Sequence, residues 1–222
     1  MSTLTGHRAP AKSGNATSLV ILLHGYGADG ADLFGLSGPL SDHMPDTVFL
    51  APNAPEKNTM NPMGYQWFPI PWIDGSTEEQ RDTSFRASVE KLNAYLDEVM
   101  AAEGIPAAKT ALIGFSQGTM MSLYVAPRRE EAVAGVVGFS GRLVGENLAE
   151  EAKVKPPVLL VHGDQDEMIN VSEMSVAETT LRAAGFDVSS HISRGIGHGI
   201  APDGLGLGLS FLMRHLGIQQ PG

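Results

Sequence analysis

The chain has 222 residues, with 15 Lys and Arg against 25 Asp and Glu, a formal net charge of −10, and a pI of about 5.1. A surface that acidic repels phosphate backbones and anionic headgroups, which argues against nucleic-acid partners, and the lack of cysteine excludes disulfides, thiolate metal sites and cysteine nucleophiles. With 42% hydrophobic and 18% charged residues, the profile is that of an ordinary globular chain, long enough to bury a core without a staple.

Short apolar runs alternate with helical patterns throughout. The expected strands are 19–23, 47–51, 110–115, 134–139, 158–161 and a weaker alternating run at 186–192. Near-continuous apolar runs of this length are typical of strands buried on both faces. Ahead of the first lies a segment, 1–17, with His7, Arg8 and Lys12 but no apolar stretch, so no secretory signal is expected. The 52–75 stretch is irregular, with Met60, Met63, Tyr65, Trp67, Phe68 and Trp72. So many methionines and aromatics argue against disorder, and a lid or acyl-pocket wall is expected, with Trp67, Met63 and Phe68 as its substrate contacts.

A capping box at 76–79 opens a helix carrying Phe85, Val89, Leu92, Leu96 and Val99 at helical spacing, stopped by Gly104. Further helices are expected over 117–126, ended by Pro127; from Ser172 to a stop at Gly185; and over 202–216, loosened by Gly206 and Gly208. Strands alternating with helices predict an α/β fold, a mostly parallel sheet covered on both faces. One domain spanning 1–222 is expected. No apolar run approaches the roughly 18 residues of a membrane span, and the chain reads as soluble and cytoplasmic, with no stable membrane insertion.

Gly114-Phe-Ser116-Gln-Gly118 is the sharpest signal. It follows an apolar strand and precedes a helix, the context in which a G-x-S-x-G turn projects its serine as a nucleophile. A serine hydroxyl needs a base, and the base an orienting acid. Both follow in order. His162-Gly-Asp164-Gln-Asp166 closes the fifth run, and Gly197-His198-Gly199 sits in a glycine-rich loop before the last helix. Either Asp164 or Asp166 suits the acid, and the alternative for each is a turn-forming side chain.

A backbone donor for the oxyanion is expected from Gln117, at the start of the helix after the nucleophile, and a second from the glycine-rich loop 24–30. His24 and His162, each in a His-Gly pair after a strand, suit satisfied structural histidines. His7, His43, His191 and His215 show no partner pattern. Met120 and Met121 suit the core. No histidine spacing suggests a metal site, and no cofactor is expected.

Leu-His-Gly-Tyr-Gly at 23–27, Trp67-Phe68, Gly-Phe-Ser-Gln-Gly at the elbow, His-Gly-Asp-Gln-Asp and Gly-His-Gly together resemble the phospholipase/carboxylesterase group of the α/β-hydrolases, which includes the acyl-protein thioesterases. The resemblance spans nearly the whole chain. It implies a hydrolase fold with little or no cap domain. It also places the acid on Asp166, with Ile169 three positions on, and the second oxyanion amide on Tyr26. Thr119, Tyr26, Glu167 and Asn170 depart from the group's usual residues.

The expected activity is hydrolysis of short-to-medium acyl esters or thioesters through an acyl-enzyme on Ser116, Asp166 and His198. The alternatives are a thioesterase or lysophospholipase acting on longer chains, a peptidase or lactonase, and a non-catalytic module that binds without reacting. The expected partner is a small acyl ester or thioester, and a homodimer through the methionine-rich loop stays open. A histidine base must be neutral, so kcat/KM should rise through about pH 6–7 and persist above it. A pH-rate profile that falls across that interval counts against His198.

Overall fold

The computed structural model describes residues 4–219. In chain order it contains β1 (Gly6–Ala9), β2 (Ser18–Leu23), α1 (Gly30–Phe34), α2 (Ser37–His43), β3 (Thr47–Pro52), β4 (Glu56–Lys57), β5 (Tyr65–Gln66), α3 (Pro71–Asp74) and α4 (Glu78–Glu103). Then follow a 3₁₀ turn (Ala107–Lys109), β6 (Thr110–Phe115), α5 (Gln117–Arg128), β7 (Gly135–Phe139), α6 (Leu148–Glu151), β8 (Val158–Gly163), α7 (Ser172–Ala183), β9 (Val188–Ser193) and α8 (Pro202–Leu216).

The apolar runs read from sequence become strands with two dry faces. Leu19, Ile21, Leu23 and Leu112 pack into one core with Leu92 and Leu96 of α4, Met121 of α5 and Leu181 of α7. Their neighbours Val20, Leu22, Ala111 and Ile113 point the other way, toward Leu40 of α2 and Leu212 of α8. Alternate residues on a strand face opposite sides, so only a run apolar at every position can sit between two helical layers. The main sheet has seven strands, ordered β1-β3-β2-β6-β7-β8-β9. Every pairing is parallel except β1 with β3.

Local chemistry sets the helix ends. The cap of α4 is one residue later than the sequence pattern suggested. Thr77 Oγ1 accepts from Gln80 N–H, and Gln80 Oε1 accepts from Thr77 N–H at 2.8 Å. Ser76 is drawn away, its N–H donating to Asp74 Oδ1 at 3.0 Å. Pro127 does not end α5 but lies in its last turn. The glycines of α8 do more than weaken it. A Cβ on Gly204 would stand 2.6 Å from Val161 Cγ1, and one on Gly208 would stand 3.4 Å from Phe139 Cζ, so these two let the helix lie close on β7 and β8, while Gly206 faces open space.

The strand order changes direction at β2. The chain leaves it for β3 on one side and later returns to β6 on the other. Loops at the carboxyl ends of two such strands diverge and leave a crevice, the usual ligand position in an open α/β sheet. Here those loops begin at His24 and Ser116. The 52–75 segment, expected to be irregular, holds the β4–β5 ribbon and α3. It is fastened to the loop after β2: Gly27 N–H donates to the Tyr65 carbonyl at 2.9 Å, and Asn61 Nδ2 to the Gly27 carbonyl at 2.8 Å.

Candidate active site

The turn between β6 and α5 holds Ser116 at φ 53°, ψ −114°, a left-handed region that costs a non-glycine residue about 1–3 kcal/mol. Its surroundings leave it no alternative. Ser116 N–H donates to the Phe139 carbonyl at 2.9 Å, and its own carbonyl accepts from Met120 N–H at 3.2 Å. A Cβ on Gly118 would overlap the Leu23 carbonyl, and one on Gly114 would overlap the backbone of Gly118. Helix, turn and β2 therefore meet backbone to backbone. Thr119, where a third glycine is usual, is accommodated from across the gap. Its hydroxyl donates to the Phe139 carbonyl at 2.8 Å, and its side chain fills space left by Gly138 and Gly141.

The loops after β8 and β9 bring the acid and the histidine together. His198 Nδ1 donates to Asp166 Oδ2 at 2.8 Å. A carboxylate can only accept, so the neutral ring carries its proton on Nδ1 and leaves the Nε2 lone pair free. The Asp166 side chain is fully buried. Its Oδ1 accepts from the N–H groups of Met168 and Ile169, each at 2.9 Å. Burial pushes this carboxyl up, but the Ile169 amide, His198 and the Met168 amide outweigh it and hold the group below the usual carboxylate range. The stability Asp166 contributes is therefore present above the unfolded carboxyl value and lost as pH falls through the lower folded one.

Asp164 does something else. Its Oδ1 accepts from Gly195 N–H at 2.6 Å, tying the acid loop to the histidine loop. His162 is buried, with Nε2 donating to the Ile169 carbonyl at 2.8 Å and lying 3.2 Å from Asp166 Oδ2. His24 is also buried and held at both nitrogens. Nδ1–H donates to the Gly25 carbonyl at 2.7 Å and Nε2 accepts from Ala54 N–H at 2.9 Å. Burial pushes its pKa down, so the ring stays neutral. His191, which showed no partner pattern in the sequence, pairs with Asp203 at 2.8 Å.

Ser116, His198, Tyr26, Gln117 and Phe68 line one cavity of about 290 Å³ at the carboxyl edge of the sheet. Gln117 opens α5, where first-turn amides lack an intrahelical acceptor. The Tyr26 amide also has no acceptor among the described residues. The Tyr26 phenol, in place of the more usual leucine, donates to Asp74 Oδ2 at 2.9 Å and so fastens this loop to the end of α3.

Two expected substrate contacts fall elsewhere. Trp67 is fully buried behind the wall: Nε1 donates to the His24 carbonyl at 3.0 Å, and its carbonyl accepts from the Ser88 hydroxyl. Met63 is 80% exposed at the tip of the segment and does not line the cavity. The wall is built instead by Phe68, Ile70, Trp72 and Ile73 on one side and by Met168 and Ile169 on the other. Met121 is in the core as expected, whereas Met120 also reaches the cavity.

The Gln117 side chain has a role the motif did not disclose. Its Oε1 accepts from Trp67 N–H at 3.1 Å and its Nε2 donates to the Phe68 carbonyl at 2.7 Å. The residue after Ser116 thus clamps the cavity wall to the elbow. A long polar side chain in an otherwise apolar helix start was the only sequence signal of this.

Comparison with known proteins identifies the family and the fold. The phospholipase/carboxylesterase family pattern matches residues 6–216. The chain is 30% identical to the esterase YpfH of Escherichia coli K12 over 185 residues, 83% of this chain and 77% of that protein. It is 28% identical to acyl-protein thioesterase 1 of Neurospora crassa over 199 residues, 82% of this chain and 80% of that one. Among solved structures, esterase PE8 superposes with a TM-score of 0.86 at 44% identity, covering 95% of this chain and 98% of the other. The fold is that of the α/β-hydrolase esterases, and the chain belongs to the phospholipase/carboxylesterase family.

Proposed function

We propose that this protein hydrolyses carboxylic esters or thioesters of short-to-medium acyl chains through an acyl-enzyme on Ser116. The observation that carries the reading is convergence in one cavity. A strained serine at the turn and a histidine held by a buried carboxylate share it with two backbone amides that have no acceptor among the described residues. In the first step Ser116 Oγ forms a bond to the acyl carbon while its proton passes to His198 Nε2. The carbonyl oxygen, now negative, receives the N–H groups of Gln117 and Tyr26. The bond to the leaving oxygen or sulfur then breaks, and His198 returns the proton to it. Water attacks the acyl-enzyme by the same route, giving the acid and free Ser116. Asp166 keeps the imidazole in the Nδ1–H form and stabilises its charged state.

Turnover of p-nitrophenyl esters from acetate to dodecanoate tests this, beside labelling with a fluorophosphonate, which reacts only with an activated serine. Hydrolysis and labelling, both lost in Ser116→Ala, are the expected result. No turnover and no labelling in the wild type would leave a module that binds without reacting. The acid assignment has its own test. Asp166→Asn should lower kcat by about 10⁴-fold, because the amide favours the wrong imidazole tautomer, while Asp164→Asn retains most activity. The reverse order would move the role to Asp164.

The cavity volume favours the shorter substrates, since it stands at the low end of small-molecule sites, about 300–1,000 Å³. Phe68 also lines an adjoining cavity of about 510 Å³ that includes Phe85 and Leu143. Phe68→Ala is therefore expected to join the two and move the acyl-length optimum several carbons upward. An unchanged optimum would mean that Phe68 does not bound the acyl chain.

A further inference from the structure

The catalytic cavity contains a cation that the esterase reading does not use. Arg142, in the loop after β7, lines it together with Ser116 and His198. Its loop is anchored at the nucleophile, because a Cβ on the preceding Gly141 would stand 3.0 Å from the Ser116 carbonyl oxygen. Arg142 Nε is buried without a hydrogen-bond partner, and the guanidinium makes no ion pair among the described residues. Its recorded contact is with the Trp72 ring, 5.7 Å from the guanidinium carbon to the ring centre.

Arg8, Arg81, Arg128, Arg129 and Arg182 each hold a carboxylate, whereas Arg86, Arg142, Arg194 and Arg214 form no ion pair among the described residues. Of these four, Arg142 is the one that lines the cavity. A buried donor left unpaired is costly and marks a place where an acceptor is missing. The planar guanidinium fork matches a carboxylate with two parallel hydrogen bonds.

We propose that Arg142 receives a free carboxylate on the substrate, so that the preferred substrates are esters or thioesters bearing an acid group away from the reacting carbonyl. Half-esters of dicarboxylic acids are the simplest such molecules. The proposal rests on the ester-hydrolase reading and adds the substrate class. The rest of the cavity limits the ligand charge. Glu173 lines the same cavity and forms no ion pair with Arg142 among the described residues, and its carboxylate opposes a doubly charged phosphate more strongly than a monoanion. The apolar wall of Ile70, Ile73 and Met168 suits the methylene chain between the two ends. The net charge of −10 opposes anions at long range, but that field is screened over about 8 Å at physiological salt, while a contact inside the cavity is screened much less.

The test compares kcat/KM for monoethyl adipate and for ethyl hexanoate, which have equal chain lengths and differ in the terminal acid. The wild type should favour the half-ester, and Arg142→Met should lower the charged-to-neutral ratio by about tenfold or more. Arg142→Lys should retain part of the preference, since a point charge replaces the fork. A ratio that is the same within twofold in Arg142→Met overturns the proposal, as does a wild type that favours the neutral ester. Should Arg142→Met fail to fold, the wild type alone decides. At about 0.5 M salt, where the repulsion of the net charge is screened, it must still favour the half-ester, and a ratio of one or below there overturns the assignment. Failure here is separable from failure of the ester-hydrolase reading. In the first case ethyl hexanoate is turned over but the ratio is indifferent to Arg142; in the second neither ester is cleaved.

Discussion

Ser116→Ala is expected to reduce ester turnover by about 10⁴-fold or more while leaving the fold intact, because the nucleophile of a triad acting as a unit contributes nearly all of its chemistry. The alanine keeps the strained turn, since its Cβ meets the same backbone at φ 53°. Ser116→Gly separates the two effects. Glycine tolerates that φ, so about 1–3 kcal/mol of strain is released, against about 0.5–1 kcal/mol for the extra freedom of the unfolded chain. The glycine variant should therefore be as inactive as the alanine variant but equal or higher in Tm. A glycine variant that melts well below the alanine variant would show that the turn is not strained at Ser116. Residual turnover within tenfold of the wild type in either variant would remove Ser116 as nucleophile.

Gly118→Ala is the second large expected effect, and it concerns stability. The added Cβ would overlap the Leu23 carbonyl and lies 2.9 Å from the His24 carbonyl oxygen. Both are backbone atoms, so no side-chain rotation relieves the clash. Separating α5 from β2 would also displace the Gln117 amide and weaken the pairing of β2 with β6 at Leu23 and Gly114. A loss above about 4 kcal/mol is expected, within the range that single substitutions reach only through core overpacking or backbone strain. Thermal unfolding of purified protein, or its failure to accumulate as soluble protein, reads this out. A Tm within about 5 °C of the wild type, equivalent to 1–2 kcal/mol for a chain of this size, would mean that elbow and strand can move apart.

The two variants differ in how visible they were beforehand. Ser116 stands out because G-x-S-x-G between a strand and a helix has few other uses. Gly118 belongs to the same motif, but its reason, direct contact of two main chains, exists only once β2 and β6 lie side by side. The same contrast holds at the acid. Sequence left Asp164 and Asp166 as two aspartates in one loop, and the family resemblance favoured the second. The folded loops put Asp166 on His198 and turn Asp164 toward Gly195.

Strands of the interior were legible because burial on both faces demands unbroken apolar runs, and β2, β3, β6 and β8 have every residue buried or nearly so. The edge strand β1, reading Gly-His-Arg-Ala, was not, since an exposed antiparallel edge needs no such run. Helix limits rest on chain-local chemistry, which was legible at Gly104 and one residue off at the cap of α4, formed by Thr77 with Gln80.

The cavity was beyond the sequence. Trp67 and Met63 suited a substrate wall as well as Trp72 and Ile70 did, and nothing in residue type separates an aromatic that faces a ligand from one that supports the wall from behind. That difference depends on which hydrogen bonds the segment makes to Gln117, Tyr26 and His24, partners about 40–50 residues away. The sequence by itself determined the layered α/β fold and singled out Ser116 and His198 as the candidate nucleophile and base, because these depend on local pattern and chain order. Tertiary structure decided which aspartate meets His198, the Gln117 clamp, the cavity wall and the setting of Arg142, because each depends on which distant backbone or side chain comes within hydrogen-bonding reach.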